Sequence, residues 1–120
     1  MHTENRFENL EVWKDACRIA VIVYEDLDGC RDYGLKDQMT RSAVSIASNI
    51  AEGAERNSVP DFIRFLYYAK GSAAELRTQV YIAQQVGIIP SDKCTEMVQR
   101  LKKISGMLYN LIRMKKDKGM

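Results

Sequence analysis

The stretch QMTRSAVSIASNIAEGAERNS, Gln38 to Ser58, contains no proline and reads as most of one long helix with two unlike faces. Leu35, Met39, Ala43, Ile46, Ile50 and Ala54 recur at steps of three and four and form an apolar stripe. Roughly opposite, at about 100° per residue, lie Gln38, Arg41, Ser45, Asn49, Glu52 and Arg56. A surface helix ordinarily carries long Lys and Glu side chains on its outer face. This one carries Ser, Asn and Ala, which let another backbone come close. Both faces are therefore expected to be packed, one inside the protomer and one near a partner.

Three more helices follow from the flanking sequence. The first is expected over about 8–27, where Leu10, Trp13, Cys17, Ala20, Tyr24 and Leu27 form a heptad-like seam beside a second stripe, Val12, Ala16, Ile19 and Val23. Asn9 is the expected N-cap, with Phe7 available for an apolar contact, and Gly29 suits the left-handed C-cap. The Gln38 helix extends to about 35–56. Ser58 caps the next helix, 59–86, and tolerates Pro60 in its first turn. There Phe62, Leu66, Ala69, Ala73, Leu76, Val80 and Ala83 step by four and three, a pattern that specifies left-handed bundle packing. Gly71 in that helix costs about 1 kcal/mol relative to Ala, so a packing reason is expected for it. Gly87 and Pro90 end the helix, and Ser91 and Asp92 open a fourth at 91–114 whose basic tail beyond Arg113 is expected to fray. Short connections between four helices predict one all-α domain over 1–120, an antiparallel up-down-up-down four-helix bundle.

Composition agrees with a globular chain: 46% hydrophobic, 28% charged, two prolines and seven glycines. The polar start MHTENRFEN lacks an apolar core, so no signal peptide is expected. The aliphatic run Ile19 to Val23 is too short for a bilayer, so no membrane partner is expected and the cytoplasm is the expected location. Three cysteines without C-x-x-C spacing argue against a disulfide or metal framework, and Cys17 and Cys94 read as small hydrophobes. Net charge is +2, but 98–120 holds seven basic residues against Asp117 alone, leaving −4 for the remainder. That asymmetry fits an anionic partner; it also fits solvated cations complementing a helix C-terminus, which composition by itself favours. Phe65, Tyr67, Tyr68, Tyr81 and Ile82 fall outside the seam of the third helix, and with the small outer face of the second they predict self-association.

Little points to catalysis. The one histidine is His2, and no phosphate loop, dinucleotide fingerprint or nucleophile elbow occurs. Glu52 and Glu75 could pair across helices, yet the Glu-x-x-His motifs of di-iron bundles are missing. The better reading is a structural polar network of Arg41, Asn49, Glu52, Arg56 and Glu75 between helices two and three. No catalytic residue, metal site or cofactor is expected.

The segment Tyr33-Gly34-Leu35, Gln38, Arg41, Ser45-Ile46, Asn49-Ile50-Ala51-Glu52-Gly53 and Arg56 resembles the hallmark of the 23S rRNA intervening-sequence proteins. Leu10-x-Val12-Trp13 upstream and Ala69-x-Gly71-Ser72-x-x-Glu75-Leu76 downstream extend the resemblance over about 7–112. The chain departs from the family in a short loop, Asp28–Asp32, and in Ser-Ile-Ala where Ser-Ile-Pro is common. The resemblance implies a four-helix bundle assembling into a homo-oligomer, typically a ring of five, with no enzymatic activity established. A relative, the accessory protein of diversity-generating retroelements, is a basic pentamer that binds nucleic acid and a reverse transcriptase.

Two functions are compatible with these features. One is a non-enzymatic oligomer binding RNA or DNA through repeated basic patches, with Arg100, Lys102, Lys103, Arg113, Lys115 and Lys116 as the expected contacts and Arg18 and Arg64 as weaker candidates. Binding would be sequence-tolerant, since no aromatic–basic interleaving or recognition helix is evident. The other is a protein-interaction scaffold or accessory subunit of a nucleic-acid enzyme such as a reverse transcriptase, with no direct nucleic-acid contact.

Overall fold

The computed structural model describes residues 7–119. Four helices make up the fold, α1 (Glu11–Asp26), α2 (Tyr33–Ala54), α3 (Val59–Gln85) and α4 (Ser91–Gly119), with no strand among the described residues. Each helix packs on two others: α1 and α3 both contact α2 and α4. Contacts join rising residue numbers on one helix to falling numbers on the next. Asp15 pairs with Lys103 and Asp26 with Lys93, while Ser45 meets Ser72 and Gly53 meets Phe65.

The breaks between helices are local backbone chemistry. Gly29 (φ 82°) and Gly87 (φ 81°) adopt the left-handed conformation that side chains disfavour. After Gly87 the chain folds back, with the Ile88 N–H donating to the Ala83 carbonyl at 2.8 Å and Ile89 buried. Ser58 Oγ accepts from the Asp61 N–H at 3.2 Å, capping α3 with Pro60 in its first turn.

Several boundaries depart from expectation. Asn9 does not cap α1: the Leu10 N–H bonds to the Phe7 carbonyl in a turn, so the helix starts later with no side-chain cap. Phe7 does make an apolar contact, edge-on to Trp13 with ring centroids 5.2 Å apart. Asp32 draws α2 forward to Tyr33, because its carboxylate accepts the Leu35 N–H at 3.0 Å. α4 does not fray at Arg113 but continues to Gly119.

The core is one cluster fed by all four helices, including Val12, Ala16, Ile19 and Val23 of α1, Met39, Ala43, Ile46 and Ile50 of α2, the whole seam of α3 from Leu66 to Ala83, and Met97, Leu101, Ile104 and Leu108 of α4. In α1 the row that reaches the centre is the compact Val/Ala/Ile one; Trp13, Cys17 and Ala20 sit half-buried at its margin and Tyr24 is 54% exposed. Phe65 is also inside, not on the outer face, because Gly53 lets α2 close over it. Gly71 has no packing reason among the described residues: a methyl group there would meet nothing within 4 Å.

Candidate nucleic-acid interface

Displacing the buried seam of α3 by one residue gives Tyr67, Lys70, Ala74, Arg77 and Tyr81, which recur at steps of three and four. On α4 the same displacement from Leu101, Leu108 and Ile112 gives Lys102, Tyr109 and Arg113, with Lys116 three residues on. Such rows lie at the edge of the buried face, where a helix meets its neighbour. They flank one seam. Lys116 Nζ donates to Tyr67 Oη at 3.1 Å at one end, and Gln84 Nε2 reaches Ser91 Oγ at 3.3 Å at the other. From Tyr67 to Tyr81 the stripe is about 21 Å long at 1.5 Å per residue.

Five cations and three tyrosines occupy these two rows, and no carboxylate does. Lys70 and Arg77 are half-buried. None of the five forms an ion pair among the described residues. Lys116 and Arg113 instead approach rings, 5.4 Å from the Tyr67 centre and 5.9 Å from the Tyr109 centre. An ion pair cancels charge, whereas an aromatic neighbour holds a cation in place and leaves its field intact. Aromatic–basic interleaving is therefore present, assembled from two helices.

The six expected contacts divide three ways. Lys102, Arg113 and Lys116 lie on the stripe. Lys103 turns to α1, 3.5 Å from Asp15, and Arg100 lies 3.5 Å from Glu96 on its own helix, so both are partly neutralised. Lys115 points to the end of the bundle, 5.4 Å from the Phe62 ring centre, in a recess it shares with Arg56, Ser58 and Leu10. Of the weaker candidates, Arg18 is exposed on α1, away from the seam. Arg64 donates to Tyr68 and Asp61, both at 3.1 Å, and these bonds raise its already high pKa. Lys70 and Arg77 were not among the expected contacts, although the offset by one from the core seam marks them.

No ion pair of the expected polar network crosses between α2 and α3 among the described residues. The expected contact of Arg56 with Glu52 forms at 2.9 Å, but it joins the end of α2 to the residue just past its C-cap; Arg41 pairs with Asp37 at 2.9 Å within α2, and Glu75 forms no ion pair among the described residues. Register is the reason. With Ser45 opposite Ser72, Glu75 falls beside Ser42 and Gln38, while Glu52 lies about 15 Å further along the bundle. The contact that does cross is small and neutral: Ser45 Oγ and Ser72 Oγ are 2.9 Å apart, and Asn49 Nδ2 donates to the Ser45 hydroxyl and carbonyl, each at 2.9 Å. α2 thus packs on α1 with one side and on α3 with the other, and Ser45 and Asn49 are half-buried.

No cluster of three or more metal-ligating side chains occurs among the described residues. Cys94 is buried, and burial raises the pKa of the half-buried Cys17 thiol, so neither is an activated nucleophile. No helix is long and apolar enough to cross a membrane among the described residues.

The family model for 23S rRNA-intervening sequence proteins matches residues 8–110. A crystal structure from Bacteroides thetaiotaomicron, described as a protein of unknown function from the S23 ribosomal protein family, is similar in fold, with a TM-score of 0.79 and 24% identity over 84% of this chain and 97% of that one. No curated protein matches.

Proposed function

The chain belongs to the 23S rRNA-intervening sequence protein family, and from that premise we propose that it is a non-enzymatic nucleic-acid-binding protein whose contact surface is the α3–α4 stripe. One observation carries this reading: Lys70, Arg77, Lys102, Arg113 and Lys116 share a seam with three tyrosines, and every ion pair of the described residues lies elsewhere. Such a surface attracts phosphate through charge, and it contains no recognition helix to read base edges. Binding to RNA or DNA is therefore tolerant of sequence and weakened by salt.

Self-association is part of the proposal. Phe7, Trp13, Cys17, Ala20, Val44 and Ala47 line an open groove of about 400 Å³ between α1 and α2, and Val21, Tyr24 and Val44 are exposed beside it. A second copy seated there leaves the α3–α4 stripe open and repeats it around the assembly, multiplying the field each protomer presents. The ring of five implied by family resemblance is the proposed form.

Gel-shift titration at low salt tests the reading with two matched double variants. Lys70→Gln/Arg77→Gln removes two stripe cations and is expected to weaken binding at least tenfold. Arg100→Gln/Lys103→Gln removes two cations that face carboxylates and is expected to change little. Equal losses would refute the stripe. Wild-type protein that shifts no nucleic acid but retains a protein partner after nuclease treatment would support a scaffold or accessory-subunit role instead.

A further inference from the structure

Building on the proposed nucleic-acid reading, we infer that the stripe takes single-stranded rather than duplex nucleic acid, with Tyr67 and Tyr109 as base-stacking platforms between phosphate-binding cations. The ring geometry supports this. Lys116 Nζ lies 3.1 Å from Tyr67 Oη but 5.4 Å from the ring centre. An ammonium above the ring centre would be nearer the centre than the hydroxyl; here the order is reversed. The cation therefore sits beyond the hydroxyl end and blocks neither face of the ring.

Tyr67 is 47% exposed and Tyr109 is 53% exposed, and the Arg113 guanidinium stands 5.9 Å from the Tyr109 centre, at the limit of a cation–π contact. Both rings are thus about half-exposed and stand beside cations. The Tyr67 oxygen accepts from Lys116, which polarises its own O–H toward an outside acceptor such as a phosphate oxygen. Ala74 and Gly71 on α3 and Gly106 on α4 are all exposed, and a methyl group on either glycine would meet nothing within 4 Å.

A duplex keeps its base faces stacked inside, so it can use only the cations. An unpaired strand offers phosphates and base faces together, and aromatic stacking does not depend on base identity. The acid-free cationic seam and the half-exposed rings thus fit one occupant, an unpaired polynucleotide strand.

The test is fluorescence anisotropy with labelled uridine and deoxythymidine homopolymers of roughly 15 nucleotides, against a duplex of similar length. Wild type should bind the single strands more tightly. Tyr67→Ala and Tyr109→Ala should each weaken single-strand binding roughly 5- to 100-fold and weaken duplex binding by much less. Tyr67→Leu, which keeps apolar bulk, should lose the same affinity, and thermal melts check that each variant is folded. Tyr67→Phe should retain stacking and lose only the hydroxyl contribution. Equal affinity for strand and duplex, with the tyrosine variants silent, would overturn this inference and leave the nucleic-acid reading standing. Absence of binding to every probe at low salt would overturn both.

Discussion

Replacing Gly53 by alanine probes the closest approach in the bundle. A Cβ at that position would stand 2.6 Å from Phe65 Cβ, 3.0 Å from Phe62 Cδ1 and 3.3 Å from the Phe62 carbonyl oxygen. The first distance is about 1 Å inside ordinary carbon contact. Phe65 Cβ is the root of its side chain, so no rotamer change relieves the overlap; α2 and α3 must part. Overpacking of this kind costs about 1–3 kcal/mol, against about 1 kcal/mol returned by the better helix propensity of alanine. The net loss is about 0–2 kcal/mol, which lowers the Tm of a domain this size by up to about 8 °C. Gly71→Ala is the matched control, because its Cβ would meet nothing within 4 Å. There only the propensity gain remains, and the Tm should rise by about 2–4 °C. Thermal melts by circular dichroism at two protein concentrations suffice. A Gly53→Ala protein stabilised as much as the Gly71→Ala control would refute the close approach of α2 and α3. A fall in Tm for Gly71→Ala that depends on protein concentration would place another chain on the outer face of α3.

Other perturbations test separate parts of the structure. Asp32→Ala removes the oxygen that accepts the Leu35 N–H, and should cost about 1 kcal/mol in urea denaturation with the m-value unchanged. Ser45→Ala leaves Ser72 and Asn49 each short of one partner and should cost about 1 kcal/mol. Adding Ser72→Ala should cost less than a second independent loss, and a strictly additive double-mutant cycle would mean that the hydroxyls do not interact.

The helix breaks were legible because Gly29, Gly87 and Ser58 act through their own backbone neighbourhood. The seam of α3 was legible for a similar reason: a row from Leu66 to Ala83 has no competing stripe. α1 carried two adjacent stripes of comparable hydropathy, and only packing against α2 and α4 decides that Val12, Ala16, Ile19 and Val23 go inside. The ionic network was misread as crossing between helices because sequence spacing does not give their register; Ser45 opposite Ser72 keeps Glu52 and Glu75 far apart. The charge excess of 98–120 was visible, but a linear count merges several sides of α4. It places Lys103, which faces Asp15, together with Lys102, and it cannot include Lys70 and Arg77 on another helix. For the same reason the interleaving of tyrosines with cations emerges only when α3 and α4 lie side by side.

The salt dependence of binding tests the central claim most directly. If the five stripe cations each neutralise one phosphate of a single strand, a plot of log affinity against log salt should fall with a slope of about −3.5. A slope near zero, or no complex at low salt, would contradict the assignment of the α3–α4 stripe as a nucleic-acid interface.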